Sequence, residues 1–214
     1  MVNWLVEPWS MTEADAAQVF NGVMLSDGSM RILSGRSVGF ELAQGGLDHR
    51  DWLLVAKFMM FALGVRCHGP NHYTVGSHDQ LKIYSCSNKG FLASQYERWY
   101  PNKRKRVPLD IELTPISLAN WYMGDGCRRS HYSHFVSADF CTDGFAPEDL
   151  DLLLTQLCDL GLSHISIYQH YSSRERKHGR INIHSVDFPK FVEMVRPFTV
   201  QSFCYKIKEE YGRL

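Results

Sequence analysis

Phe20-Asn21-Gly22-Val23-Met24-Leu25-Ser26-Asp27-Gly28 and, 98 residues further along, Leu118-Ala119-Asn120-Trp121-Tyr122-Met123-Gly124-Asp125-Gly126 carry one plan twice: an apolar helical run that stops at Asp-Gly. Each run opens on helix-start chemistry. Thr12 or Ser10 offers a side-chain oxygen to the free amides of the first helix. Thr114 does the same for the second, with Pro115 at the first helical position, where a missing N–H costs nothing. Small residues (Ala17, Asn21 and Gly22 in one run, Ala119 and Asn120 in the other) let two helix backbones approach closely. If these helices pack about a twofold axis, Asp27 and Asp125 converge at their lower ends. Two converging carboxylates repel, and a divalent cation relieves the repulsion.

The repeat extends outward from both runs. Ser29 to Gln44 alternates polar and apolar residues, and an amphipathic helix runs from Asp48 to a stop at Leu63-Gly64. In the second half, His131 to Cys141 is followed by a helix from Pro147 that stops at Leu160-Gly161. Glycine takes the left-handed conformation that closes such helices. Extended segments follow (His72 to Ser85; Ser163 to Tyr171 and Arg180 to Ser185), then short helices over Lys89 to Arg98 and Phe188 to Arg196. Each half closes on an aromatic-basic stretch, Trp99-Tyr100 leading to Lys105 and Phe203-Cys204-Tyr205 leading to Lys206. The order helix, hairpin, helix, hairpin, helix predicts a duplicated α+β fold, divided as 1–106 and 107–214.

Composition sets the bounds. The 214 residues are 44% hydrophobic and 21% charged, as expected of a globular chain rather than a disordered or fibrous one. The sequence contains no membrane-length apolar run and no secretory leader pattern. Six cysteines without a C-x-x-C pair read as reduced thiols in an intracellular reducing compartment, either a bacterial or phage-infected cytoplasm or an organelle matrix. Lys plus Arg equals Asp plus Glu at 23 each, so the sum announces no nucleic-acid partner. The distribution is uneven: Arg98, Lys103, Arg104, Lys105 and Arg106 form one basic cluster, and Arg174, Arg176, Lys177 and Arg180 another.

Both Asp-Gly runs resemble the nine-residue motif of the LAGLIDADG homing endonucleases. The second half carries the more specific match. Trp99-Tyr100, Lys105 to Pro108 and Leu113 to Gly126 resemble the group I intron-encoded branch in order and spacing. Thr142-Asp143-Gly144-Phe145, Ile183-His184-Ser185, Arg196-Pro197-Phe198 and Tyr205-Lys206-Ile207 continue the likeness. Two motifs in one chain resemble the monomeric, pseudo-symmetric members.

The resemblance implies two αββαββα domains with antiparallel four-stranded DNA-binding sheets and a central two-helix interface. It implies a Mg²⁺-dependent endonuclease that makes a staggered double-strand break in a long asymmetric DNA site, with two or three divalent ions shared at the interface. Asp27 and Asp125 would bind metal, with Gly28 and Gly126 beside them, and Lys105 and Lys206 would be the catalytic lysines. The sheets would lie in the major groove, where Arg and Gln suit guanine and adenine edges. The candidates are Arg31, Arg36 and Gln44 in the first half. Lys103 and Arg104 are added at the join, and Arg128, Arg129, His131, Arg174, Arg176, Lys177 and Arg180 in the second half. Gln44 has a second reading, as a neighbour of Asp27. Position 143 is Asp where relatives often carry Gln, and both motifs lack the central acid.

Two other functions fit parts of the pattern. An intron maturase on the same fold would bind intron RNA, but that task requires neither the aspartates nor the lysines. A zinc-binding structural module would use Cys127, His131, His134 and Cys141, at a spacing that fits no common zinc template. No Gly-rich phosphate loop or nucleophile elbow appears.

Overall fold

Thr12 rather than Ser10 caps the first helix, its Oγ1 accepting from the Asp15 amide at 3.1 Å. In the computed structural model, which describes residues 10–33, 37–87, 90–131, 135–171 and 177–208, that helix is α1 (Glu13–Leu25). A hairpin, β1 (Ser29–Ile32) with β2 (Val38–Gly45), precedes α2 (Arg50–Ala62). A second hairpin, β3 (His68–Val75) with β4 (His78–Ser87), leads to α3 (Phe91–Trp99). The plan then repeats through α4 (Pro115–Asp125), β5 (Gly126–His131), β6 (Phe135–Phe140), α5 (Pro147–Asp159), β7 (Ile165–Tyr171), β8 (Lys177–Ile183) and α6 (Phe188–Val195). The two sheets are antiparallel, with the matching orders β1-β2-β4-β3 and β5-β6-β8-β7. No helix among the described residues is long and apolar enough to cross a membrane.

Several boundaries differ from the sequence reading, among them β3, which starts at His68 rather than His72, and β8, which starts at Lys177 rather than Arg180. The first strand of the second lobe, β5, starts at Gly126, directly after α4, and not at His131. The helix expected from Lys89 starts at Phe91, because Gly90 sits at φ 71° and breaks the approach; Lys89 lies outside the described residues. The stretch bearing Lys206 is a 3₁₀ helix, Gln201–Ile207.

Each sheet turns one face to its own core. Phe40, Leu42, Leu81 and Ile83 point inward in the first lobe, and Ala138, Phe140, Ile181 and Ile183 in the second. Strand alternation then sends the intervening residues outward. Those are Arg31, Glu41, Lys82 and Tyr84 on one sheet, and Arg129, Asp139, Tyr168, Arg180 and Asn182 on the other.

α1 packs on α4 through the small residues. A Cβ on Gly22 would lie 2.7 Å from the Asn120 Cβ and press on the Ser117 carbonyl; a Cβ on Gly124 would strike the Ser26 side chain. Positions 22 and 120, like 26 and 124, are equivalent in the repeat. A residue touching its own equivalent marks the twofold axis. Thr114 Oγ1 donating to Gln18 Oε1 at 3.1 Å and the buried Trp52 Nε1 donating to Asn120 Oδ1 at 2.9 Å fix the seam.

Gly22→Ala tests this packing. Better helix propensity is worth about 1 kcal/mol, whereas overpacking against backbone costs about 1–3 kcal/mol. The clash dominates, and thermal unfolding is expected to occur several degrees lower, at about 2–4 °C per kcal/mol lost.

Candidate active site

Asp27 and Asp125 end their helices beside the twofold seam, each followed by a glycine because nothing larger fits. A Cβ on Gly28 would sit 2.6 Å from the Val23 carbonyl, and one on Gly126 would collide with the Tyr122 ring. The carboxylates are electrostatic neighbours. Burial raises the Asp125 pKa to about 7, with the Asp27 charge adding to the rise and Lys105 and Lys206 opposing it. Asp27 is exposed to water. Its pKa is nevertheless raised by burial, against the Gln44 hydrogen bond and the two lysines.

Lys105 and Lys206 flank the acids in equivalent ways. Lys105 Nζ donates to the carbonyls of Ser26 (3.1 Å) and Gly28 (2.8 Å). Lys206 Nζ donates to those of Tyr122 (3.3 Å), Met123 (2.7 Å) and Gly126 (2.7 Å). Each ammonium therefore sits at the carbonyl end of its own lobe's motif helix, where the macrodipole favours positive charge. Burial pushes both pKa values down to about 8, while Asp27 and Asp125 hold them up.

The carbonyl oxygens of Gly28 and Gly126, the glycines named beside the expected metal acids, accept lysine N–H groups. Two hard carboxylates of raised basicity, beside an open groove, suit Mg²⁺, which keeps several waters and uses one or two carboxylates plus substrate phosphates. Among the described residues no three His, Cys, Asp or Glu side chains gather to hold a metal ion. The zinc alternative gains nothing here, since Cys127 is exposed on β5 and His134 lies outside the described residues.

Gln44 turns away from the groove face. Its Nε2 donates to Asp27 Oδ2 at 2.6 Å, so it belongs to the floor of the site and not among the base-facing residues. The counterpart region of the second lobe differs. Asp143 is paired with Arg180 (3.1 Å) and its charge raises Asp125 further. The two halves of the floor are therefore chemically distinct.

The remaining basic candidates scatter. Arg31 is exposed on the groove face of β1. Lys103 and Arg104 are exposed on the linker, off both sheets. Arg128 falls on the core-side phase of edge strand β5 and donates from Nε to the Lys208 carbonyl at 2.7 Å. Arg129 is on the groove face. Arg36, Arg174 and Arg176 lie outside the described residues, as do the side chains of Lys177 and His131.

Sequence reasoning missed the acids that hold these arginines. The fully buried Asp139 takes an ion pair from Arg129 and hydrogen bonds from Tyr168 Oη and Asn182 Nδ2, both at 2.6 Å. Arg129 Nη2 also donates to Tyr168 Oη at 2.6 Å. Lys82 is similarly paired with Glu41 at 3.2 Å. The available signal was an acid in the outward phase of an alternating strand, Ser137-x-Asp139.

The uncharacterized protein MJ1098 of Methanocaldococcus jannaschii is 27% identical over 167 residues, covering 74% of this chain. The chain spans 62% of that relative's length. Among solved structures, the homing endonuclease I-WcaI bound to its DNA recognition sequence superposes with a TM-score of 0.75 at 17% identity, covering 94% of this chain and 88% of that one. I-DmoI in complex with DNA and Mn gives 0.53 at 13% identity, covering 86% and 97%. Full-length DUF199/WhiA from Thermatoga maritima gives 0.51 at 11% identity, covering 92% and 59%. The LAGLIDADG DNA endonuclease family model matches residues 17–191, and the chain belongs to that family.

Proposed function

We propose that this protein is a monomeric, Mg²⁺-dependent, site-specific endonuclease that makes a staggered double-strand break in a long, asymmetric DNA target. The observation that carries the reading is the meeting of Asp27, Asp125, Lys105 and Lys206 at the foot of the helix seam, beneath two polar sheet faces. Lobes 1–106 and 107–214 each cut one strand. Their unlike outward residues favour an asymmetric target, and the likeness to DNA-bound family members supports duplex DNA as the partner. The six free thiols fit a reducing intracellular setting, and an intron-encoded origin follows from the likeness of the second half.

Asp27 and Asp125 would hold the divalent ions, expected as two or three Mg²⁺, and the bound metal would supply charge stabilisation for phosphodiester hydrolysis. The chain's own residues prepare that site. Asp27 and Asp125 bind the cations, and Gln44 holds the Asp27 carboxylate in one orientation. Lys105 and Lys206 keep a proton near neutrality and place positive charge where the phosphate becomes more anionic. Arg31, Arg129 and Arg180 lie on the sheet faces turned to the DNA, and Arg36, Arg174, Arg176 and Lys177 are further candidate DNA contacts by sequence alone. RNA chaperoning, the maturase alternative, needs none of the four floor groups.

Selection from a randomised duplex pool tests the reading. With Mg²⁺, recovered duplexes are expected to be cut on both strands at fixed positions; with Ca²⁺ they are expected to bind uncut. A pool that yields no fixed cut site in Mg²⁺ would reject the assignment.

A further inference from the structure

The 98-residue offset that relates Asp27 to Asp125 also relates Asp51 to Asp149. Both lie in the first turn of the helix that follows their lobe's first hairpin, α2 and α5. Each grips a segment that serves the other lobe. Asp149, only 4% exposed, takes Arg106 Nε on both oxygens at 3.0 and 2.8 Å. Arg106 directly follows Lys105, which serves the first lobe's motif, and Phe145 of the second lobe lies 5.8 Å below the Lys105 amine. Asp51 takes the Ser202 amide at 3.0 Å and the Ser202 hydroxyl at 2.6 Å. Ser202 is the second residue of the 3₁₀ segment that carries Lys206, which serves the second lobe's motif. His49 stacks on Phe203 of that segment with ring centroids 4.1 Å apart.

We propose that Asp51 and Asp149 are crossed positioning residues, each holding in place the lysine of the opposite lobe's active site. Neither lobe then completes its own site. Ordering of the partner lobe sets each ammonium, and breaking one clamp disturbs one site. This rests on the endonuclease reading for its catalytic consequence but not for its structural one.

Two readouts separate them. Arg106→Ala removes the first clamp from the strap side, leaving the Asp149 cap on the Ala146 amide (3.1 Å) intact, so α5 keeps its start. Asp51→Ala removes the second clamp, with Ser202→Ala as a milder version. On a duplex recovered by cleavage from the randomised pool, Arg106→Ala is expected to slow one strand by about tenfold or more, within the range that misplacing a reacting group costs. Asp51→Ala is expected to slow the other strand, so that nicked product accumulates with opposite polarity. Independently of DNA, acetylation of the folded protein by a water-soluble acetyl ester, followed by peptide mapping, should show Lys105 labelling rise several-fold in Arg106→Ala with Lys206 unchanged. Asp51→Ala should give the reverse. Equal slowing of both strands, or labelling that moves in both lysines, in neither or in the wrong one, would overturn the clamp. If the wild type cuts no duplex, the endonuclease reading falls and the labelling still decides the clamp.

Discussion

Asp27→Asn and Asp125→Asn are each expected to abolish double-strand cleavage while leaving duplex binding within a few-fold of wild type. The amide keeps the shape of the side chain and loses its charge. At this floor the charge is what matters, because a neutral oxygen neither holds a divalent cation well nor repels its neighbour. A loss of about 10²–10³ in single-turnover rate or more is the scale seen when a group that stabilises developing charge is removed. In the proposed function, binding rests on the outward faces of the two sheets, which these substitutions do not touch. Strand-resolved single-turnover assays and a binding titration in Ca²⁺ check both halves of the expectation. Undiminished cutting of both strands by either variant would remove that acid from the site.

The second large effect concerns the lysines and pH. Lys206→Met is expected to cut the rate at least about 10²-fold, since Met fills the space and leaves no charge at the carbonyl end of α4. The Met side chain also leaves three carbonyls without their donor, so some loss of stability accompanies it. The pH profile gives an independent reading of the same groups. Asp125 must be ionised to bind a cation, so activity rises as pH passes about 7. The ammonium groups titrate near 8, so activity falls above that. A bell with its top between these values is expected in kcat/KM, its limbs belonging to the coupled cluster as a whole. Raising Mg²⁺ should move the rising limb to lower pH, because the cation competes with the proton.

Stability carries the opposite signature. The Asp125 pKa rises from 3.8 unfolded to about 7 folded, so the folded state binds a proton that the unfolded chain has released. That contribution is full below 3.8 and is lost as pH climbs through about 7. The lysines, lowered from 10.5 to about 8, favour folding above 10.5 and lose that contribution as pH falls through about 8. Near pH 8 the floor is therefore a cost to the fold. Asp125→Asn should melt above wild type there, by about 2–4 °C for each kcal/mol relieved. A lower melting point would show that the carboxylate is not crowded as described.

Much of this was legible in the chain because it is local. The Asp-Gly stops, the Thr114-Pro115 start and the small residues at 22 and 120 are short-range patterns with one physical meaning each, and they imply the helix pair and its two acids. The repeat places Lys105 and Lys206 at equivalent ends of the two halves, while a catalytic role for them is implied only by the family resemblance. Gln44 was not settled by sequence, because strand phase decides whether a side chain meets the outward face or the floor, and that phase comes from the pairing of β2 with β4, which sets Gln44 opposite Leu81. Arg128 and Arg129 show the same limit. They are adjacent in sequence and on opposite faces in the fold. The acids that hold the arginines could not be matched from sequence, since Asp139 meets Arg129 across strands and Asp143 reaches Arg180 from the turn after β6. These pairs also explain how a chain of zero formal charge carries basic residues on its sheet faces: several arrive already neutralised.

Titration of the Asp125 carboxyl carbon by NMR, in wild type and in Asp27→Asn, bears most directly on the shared floor. Proximity predicts that Asp125 ionises near 7 in the wild type and distinctly lower once the charge at position 27 is gone. An Asp125 titration that stays where it was in the variant would place the two acids in separate environments and contradict the paired active site.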